Sequence, residues 1–342
     1  MKDTRLFSLD FLRGADMLLL TVFGALMRAV SEGYGPFPAL VEQTRHPWEG
    51  FTLWDMILPL FVFMSGAAIP FGLGKRLDGE GRPTAAFWTH LLKRGVLLWT
   101  LGVLAQGNLL SFSWAKIHLY GNVLQTIAVL MVVTSLWMLL RKVWMKVLVP
   151  VAALVVWGLV GHFFVGYENL PNGFGYFFAS SLFIACTFGP AGCLSTQVLR
   201  AETSPAKKLA VLFGLGFVLA GLGWALLGMV PSVKRMMTLS FSLRALGYAY
   251  LLTGGAYLLT DVLRFRRGLW IFTLYGQASL AAYMIDMVFR EPVRKAGEVL
   301  GTGLMPYFGA GAKPVVLWFA AALVQTYLVC KWRQLKNAEA GT

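Results

Sequence analysis

The sequence predicts an all-α, polytopic integral membrane bundle of about ten transmembrane helices, with residues 1–342 forming one domain. Three observations predict it. Hydrophobic residues make up 57% of the chain and charged ones only 13%, whereas soluble domains carry charge at roughly a quarter of positions. Apolar runs recur from end to end at lengths of about 20 residues, enough for a helix to cross a hydrocarbon layer of roughly 30 Å. The Lys and Arg behind the net charge of +14 sit in short clusters between those runs, which is how membrane topology is written and not how a nucleic-acid surface is built.

Taken in order, the runs are 9–30, 51–72, 92–111, 122–140, 146–165, 174–195, 208–230, 243–263, 269–289 and 314–332. The first follows the short basic start MKDTR and lacks a small-residue cleavage site, so it reads as a retained helix and not a removed signal. The third opens on Lys93–Arg94, the fourth on Asn122 and the seventh on Lys207–Lys208. The sixth is interrupted by Gly189, Pro190 and Gly192, a kind of break that is tolerated where neighbouring helices re-satisfy the backbone and that often lines a cavity. The longest polar gaps are 31–50, 73–91 and 290–313, and no internal repeat is evident.

An even number of spans places both termini on one side. The loops on that side, with the termini, hold about twice as many Lys and Arg as the opposite loops, so the termini are expected in the cytoplasm and the 31–50 loop outside. In a double-membraned bacterium this is the inner membrane, with His46 facing the periplasm. The three cysteines (Cys186, Cys193, Cys330) lie in or beside apolar runs without disulfide or metal spacing.

Ionisable residues inside a span are costly and point to function by default. Asp10, Arg13 and Asp16 are three apart in the first span, so they meet on neighbouring turns, either as a structural salt bridge or as part of a site. The stretch around 44–70 puts His46, Trp48, Glu49 and Asp55 at the mouth of an otherwise lipid-like helix. Histidine exchanges protons near neutral pH and serves as a base or as an acyl-accepting nucleophile. Asp55, about one turn inside, can hold the imidazole tautomer or pair with a lysine of another helix. Asn122 and Gln125, three apart, suit a polar ligand or act as glue between helices. Lys234 and Arg235 lie on the side where positive charge is disfavoured, which suits an anionic ligand or a carboxylate partner. Asp286 and Arg290 read as an i,i+4 ion pair. No phosphate-binding glycine loop and no nucleophile-elbow or metal-ligand spacing occurs, and the remaining histidines (His90, His118, His162) stand apart; no metal is expected.

RLFSLDFLRGADM, then HPWEGFTLWDMILPLFVFMSGAAIPF, then NVLQTIA resemble the heparan-α-glucosaminide N-acetyltransferase family of transmembrane acyltransferases, most of all its shorter bacterial members that lack the lumenal domain. Weaker echoes follow at VKRMMTLSFSLRALG, Asp261 and YGQASLAAYM. The resemblance implies transfer of an acetyl group from cytoplasmic acetyl-CoA to the amino group of a terminal glucosamine across the membrane. It maps the catalytic histidine onto His46 and the S-L-D-x-x-R-G motif onto Ser8, Leu9, Asp10, Arg13 and Gly14. The W-x-G and following Asp fall on Trp48, Gly50 and Asp55, and the L-Q pair on Leu124 and Gln125. Two positions depart from the pattern: His46 stands two residues before the tryptophan instead of three, and Gly24 occupies the place of an asparagine in the animal enzyme.

The expected function is therefore acyl transfer from acetyl-CoA, without a metal, to an amino sugar or related glycan at the outer face. His46 and Asp55 are the expected catalytic pair. Arg76, Lys93, Arg94 and Arg13 would hold the CoA phosphates, and Trp48, Glu49, Asn122, Gln125 and Lys234 would line the acceptor pocket. Asp10, Asp16 and Gly50 would shape the site. The rival readings are a permease for a small sugar or glycan fragment and a catalytically degenerate relative. The 37 glycines permit close helix packing, within one chain or in a homodimer.

Overall fold

The computed structural model describes residues 6–34, 42–107, 119–167, 173–303, 307 and 312–340. Among these the regular secondary structure is helical, with no β-strand and a lone bridge between Leu77 and Pro83. Helices α1 (Phe7–Leu18) and α2 (Gly24–Tyr34) form one rod through a π turn at Leu19–Phe23. A 3₁₀ turn, Leu53–Met56, leads into α3 (Ile57–Gly72); α4 is Ala85–Gly107 and α5 Val123–Met138. Next come α6 (Val143–Val160), extended by a π turn, α7 (Phe174–Arg200) and α8 (Pro205–Ala225). The rest are α9 (Leu239–Tyr257), α10 (Trp270–Gln277), α11 (Ser279–Val288), α12 (Arg290–Thr302) and α13 (Lys313–Ala340).

Six of these rods are long and apolar enough to cross a membrane among the described residues: α1–α2, α3 with its 3₁₀ turns, α6, α7, α8 and α13. Every predicted run falls on helix among the described residues, but the other four runs differ from that standard. Helix α5 has 16 residues, α4 and α9 carry polar or charged residues, and the 269–289 run is broken at Ala278 into α10 and α11. Apolar side chains cover the outside as well as the core. On α6, Val147, Leu148, Val151, Val155 and Val156 are all at least half exposed, an arrangement suited to lipid and not to water.

Helix α3 is the most deeply buried of the six and passes through the middle of the bundle. It touches α7 through glycine: Gly66 lies against the backbone of Gly189, and Gly192 against the carbonyl of Phe63, so a β-carbon at either place would collide with the facing chain. The Gly189-Pro190-Gly192 run is thus a packing surface in a continuous helix, where the sequence suggested a break. Gly14 likewise abuts the backbone of Phe272 and brings α1 against α10. The core joins Met17, Val62, Phe63, Leu130, Phe188, Phe241 and Tyr275 from six different helices.

Two boundaries move. The third span starts at Ala85, seven residues before the expected 92, because Thr84 ends the loop by donating its hydroxyl to the Arg76 carbonyl at 2.7 Å. Arg94 consequently sits about 13 Å along the helix instead of at its start. The 290–313 gap contains α12, an amphipathic helix that packs on α13 with Gly297 against Ala321.

Candidate functional site

The loop before α3 is folded back on the helix start by its own backbone. Leu53 donates its N–H to the Gln43 side chain at 2.9 Å and Trp54 donates to the Gln43 carbonyl at 3.1 Å. Asp55, third residue of the 3₁₀ turn, reaches back to Thr52, accepting from its N–H at 3.1 Å. The Thr52 hydroxyl lies 3.0 Å from both Asp55 Oδ2 and the Arg45 carbonyl, one proton between two acceptors. This capping arrangement uses one carboxylate oxygen and leaves Oδ1 facing the loop, next to His46.

There His46 Nδ1 and Asp55 Oδ1 are 2.7 Å apart. The Asp55 side chain is 1% exposed and the imidazole 43% exposed. Lys234, from the α8–α9 connection, places Nζ 3.3 Å from Asp55 Oδ1, 3.4 Å from the Trp54 carbonyl and 3.3 Å from His46 Nδ1. An ammonium has only donors, so a carboxylate and an ammonium both beside Nδ1 assign the ring proton by charge. Nδ1–H donates to Asp55, Lys234 donates to Asp55 and to the Trp54 carbonyl, and Nε2 keeps its lone pair on a ring that is 43% exposed. This is the orientation a base or nucleophile needs. Burial first, and Arg235 with it, push the Lys234 ammonium below the ordinary lysine range, against the opposing pull of the Asp55 carboxylate.

Lys234 is delivered by a backbone clasp. Gly50 N–H donates to the Ser232 carbonyl at 2.8 Å, and the Ser232 hydroxyl returns a bond to the Gly50 carbonyl at 3.0 Å. Gly50 has φ +131°, open to glycine alone at low cost. Arg244, 3% exposed, donates to the Ser232 hydroxyl and is sandwiched between Phe51 and Trp224 at 5.1 and 4.9 Å. After the Lys234 turn the chain reverses through Met237 in the left-handed region, φ 50°. Trp48 donates its indole N–H to the Tyr167 carbonyl at 3.1 Å and carries Arg235 over its ring at 5.9 Å; Glu49 is exposed. Gly24, the departure from the family pattern, lies directly under the Trp54 indole, so tryptophan occupies the space an asparagine there would need.

The other end of α3 opens on a cavity of about 110 Å³ between α1, α3, α4, α5 and α11. Arg13, His90 and Arg94 face it, and its walls are Phe61, Ile69, Leu98 and Leu130. A neighbouring groove of about 360 Å³ shares Arg13 and Ala68 and adds Asp10 and Lys75. Arg76 donates to the Gly72 carbonyl and stands within electrostatic reach of His90 and Arg94. Phe61, the cavity residue nearest the His46 end of α3, comes six positions after Asp55, about 9 Å along the axis.

Of the predicted residues, the structure therefore unites His46, Asp55, Lys234 and Gly50 at one end, with Trp48 and Glu49 beside them, and Arg13 and Arg94 at the other. Several fall elsewhere. Lys93 is exposed on α4 and does not line the cavity. Asn122 and Gln125 form the capping box of α5, where Asn122 Oδ1 accepts from Leu124 N–H at 2.9 Å and Gln125 Oε1 from Asn122 N–H at 3.0 Å. Gln125 is fully buried and donates its amide to the Leu119 carbonyl at 2.8 Å; the pair is bound up in the helix start and not offered to an acceptor pocket. The expected Asp10–Arg13–Asp16 ladder is corrected at Asp16. Arg13 turns to α3 and donates to the Met64 carbonyl at 3.3 Å, whereas the Asp16 carboxylate is fully buried with no hydrogen-bond partner among the described residues. Asp10 accepts from Gln277 at 3.4 Å. Asn108, His118 and the 35–41 part of the outer loop lie outside the described residues.

Four participants escaped the sequence reading. Thr52 and Trp54 sit inside the quoted motif, and the T-x-x-D spacing was a usable capping signal. Arg244 lies within the VKRMMTLSFSLRALG segment as a cation in an apolar run. His90 had no local signal, since it meets Arg13 only through the packing of α4 against the bundle. The chain matches no family model and no curated protein sequence.

Proposed function

We propose that this protein is a membrane-embedded acyltransferase that takes an acyl group from a CoA thioester at the Arg13 end of α3 and delivers it to an acceptor amine or hydroxyl at the His46 end. The observation that carries this reading is the His46–Asp55–Lys234 cluster at the start of the central helix whose other end borders an arginine-lined cavity. The topology that goes with it is ten spans with both termini on the cytoplasmic side of the inner membrane and His46 on the periplasmic side.

The cavity suits the donor's chemistry. Arg13 and Arg94 would bind anionic phosphate oxygens through charge-assisted hydrogen bonds, with His90 as a neutral ring N–H donor and Lys75 and Arg76 strengthening the local field. The apolar walls suit a slim thiol arm and keep a thioester away from water. Acetyl-CoA would supply the activated acyl group. At the other end, His46 Nε2 removes the acceptor proton or itself takes the acyl group before passing it on; both routes use the same lone pair. Asp55 holds the ring through Nδ1–H and stabilises the imidazolium that either route creates. Phe61, with Tyr283 stacked against it at 6.4 Å, stands in the gap between donor cavity and histidine, so the thioester's passage requires that these rings move. The resemblance to heparan-α-glucosaminide N-acetyltransferases makes an amino sugar the first acceptor to try.

The test is transfer from radiolabelled acetyl-CoA to a panel of amino sugars by the purified protein, with His46→Ala beside it. Transfer by the wild type that falls by at least about 10²-fold in the variant supports the reading. CoA binding without transfer assigns a degenerate relative, and sugar flux into liposomes without CoA assigns a permease; either result ends the acyltransferase reading.

A further inference from the structure

A second cavity, of about 390 Å³, lies apart from both ends of α3, enclosed by α2, α11, α12 and α13. Its polar lining is unevenly satisfied. Asp286, with its side chain 11% exposed, is paired with Arg290 at 2.7 Å. Arg294 is held by Glu291 at 3.0 Å and Glu298 at 2.6 Å. Two donors remain. Gln325, on α13, is 5% exposed and its side-chain amide nitrogen is buried without a hydrogen-bond partner among the described residues. Arg28, on α2, makes no hydrogen bond or ion pair among the described residues and has Asp286 within electrostatic reach.

A buried amide N–H left unmade costs about 1–3 kcal/mol, so a native site that keeps one is arranged for something that accepts. Among the charged groups lining the cavity, Arg28, Arg290 and Arg294 outnumber Asp286 and Glu298, and the guanidinium of Arg28 and the amide N–H of Gln325 are donors without an acceptor among the described residues. Such a set favours an anion with several oxygens. The face of α13 that carries Gln325 also presents Leu317, Trp318 and Ala321, which are apolar, and tryptophan suits the level where a lipid's head meets its chains.

We propose that this cavity binds an anionic amphiphile, with the acidic headgroup taken by Arg28 and Gln325 and the apolar part lying along Leu317 and Trp318. The site shares no residue with the His46 cluster or the Arg13 cavity, so it stands or falls independently of the acyltransferase reading.

The experiment measures saturable binding to the purified full-length protein in a neutral detergent. The probes are dioleoylphosphatidylglycerol, dioleoylphosphatidylcholine and inorganic phosphate. Phosphatidylglycerol is expected to bind at least about tenfold more tightly than either of the others. Arg28→Gln and Gln325→Leu are each expected to weaken it by about tenfold, equivalent to 1.4 kcal/mol, and Arg28→Lys by less than Arg28→Gln. Variants are scored only if their thermal midpoint and elution volume match the wild type. Arg82→Gln, which removes an exposed arginine that does not line the cavity, serves as a control and should bind as the wild type does. Equal binding of the two lipids overturns the anionic headgroup, and phosphate binding as tight as phosphatidylglycerol overturns the amphiphile. Undiminished binding in both Arg28→Gln and Gln325→Leu overturns the assignment to this cavity.

Discussion

At the head of α3, Asp55 gathers Thr52, His46 and Lys234 onto two carboxylate oxygens, so that opposite charges meet within 3.3 Å. At its foot, Arg13, His90 and Arg94 face one small cavity that no carboxylate lines among the described residues. The first region is built largely from one stretch of chain plus a single connection, and its hydrogen bonds are made. The second is assembled from separate helices and sets two guanidiniums and an imidazole around the cavity. The contrast separates preorganisation from recruitment. A self-satisfied cluster holds its geometry before any ligand arrives, whereas grouped cations raise the energy of the empty site and lower it again when an anion binds. Central placement of α3 lets one rigid element carry both.

The largest effect should come from cutting the cluster at its buried member. Asp55→Ala strands Lys234 and removes the partner of His46, so we expect loss of transfer together with destabilisation on the order of 3 kcal/mol, read as a lower thermal midpoint in detergent. His46→Ala should lose transfer while keeping nearly the wild-type midpoint, because its ring is 43% exposed. Equal midpoints for the two variants would remove the distinction between holder and actor.

Next in size, Arg13→Gln and Arg94→Gln should each raise KM for acyl-CoA about tenfold with kcat little changed, since a hydrogen bond to a charged group contributes about 1.5–3 kcal/mol. An unchanged KM in both would dismiss the cavity as the donor site. Gly24→Asn should destabilise by about 1–3 kcal/mol through overpacking against the Trp54 indole. Adding Trp54→Ala should recover part of that loss, and a double mutant no better than the single one would mean the two positions do not share space.

The smallest effect concerns pH. The folded chain holds Lys234 below its ordinary range, chiefly by burial, so near the ordinary lysine value of about 10.4 the unfolded chain binds the proton more tightly. Stability from this group therefore rises with pH through the window just below that value. Lys234→Met should flatten the rise in a thermal-midpoint series run from about pH 8 to about pH 10; an identical slope in wild type and variant would assign the rise to other groups.

What was legible in the sequence followed from local rules. Membrane-length apolar runs gave helices where they were expected, because a backbone in hydrocarbon must satisfy its own hydrogen bonds. His46 and Asp55 were legible as a pair, being nine residues apart across one turn. The capping use of Asn122 and Gln125 was equally local, but the same N-x-x-Q spacing also suited a ligand, and only the structure shows both side-chain oxygens bound to the helix start. The Gly189-Pro190-Gly192 run could mean a break or a close approach, and the facing backbone of α3 decided it.

Composition, span placement and the His46–Asp55 spacing belong to the sequence by itself, because burial in lipid and the geometry of a helix start act over a few turns of chain. The meeting of Lys234 with Asp55, of Arg13 with His90 and Arg94, and of Arg28 with Gln325 was decided by tertiary packing alone. Those pairs are separated by 77 to 297 residues, and nothing in a local pattern says which faces of which helices will be brought together.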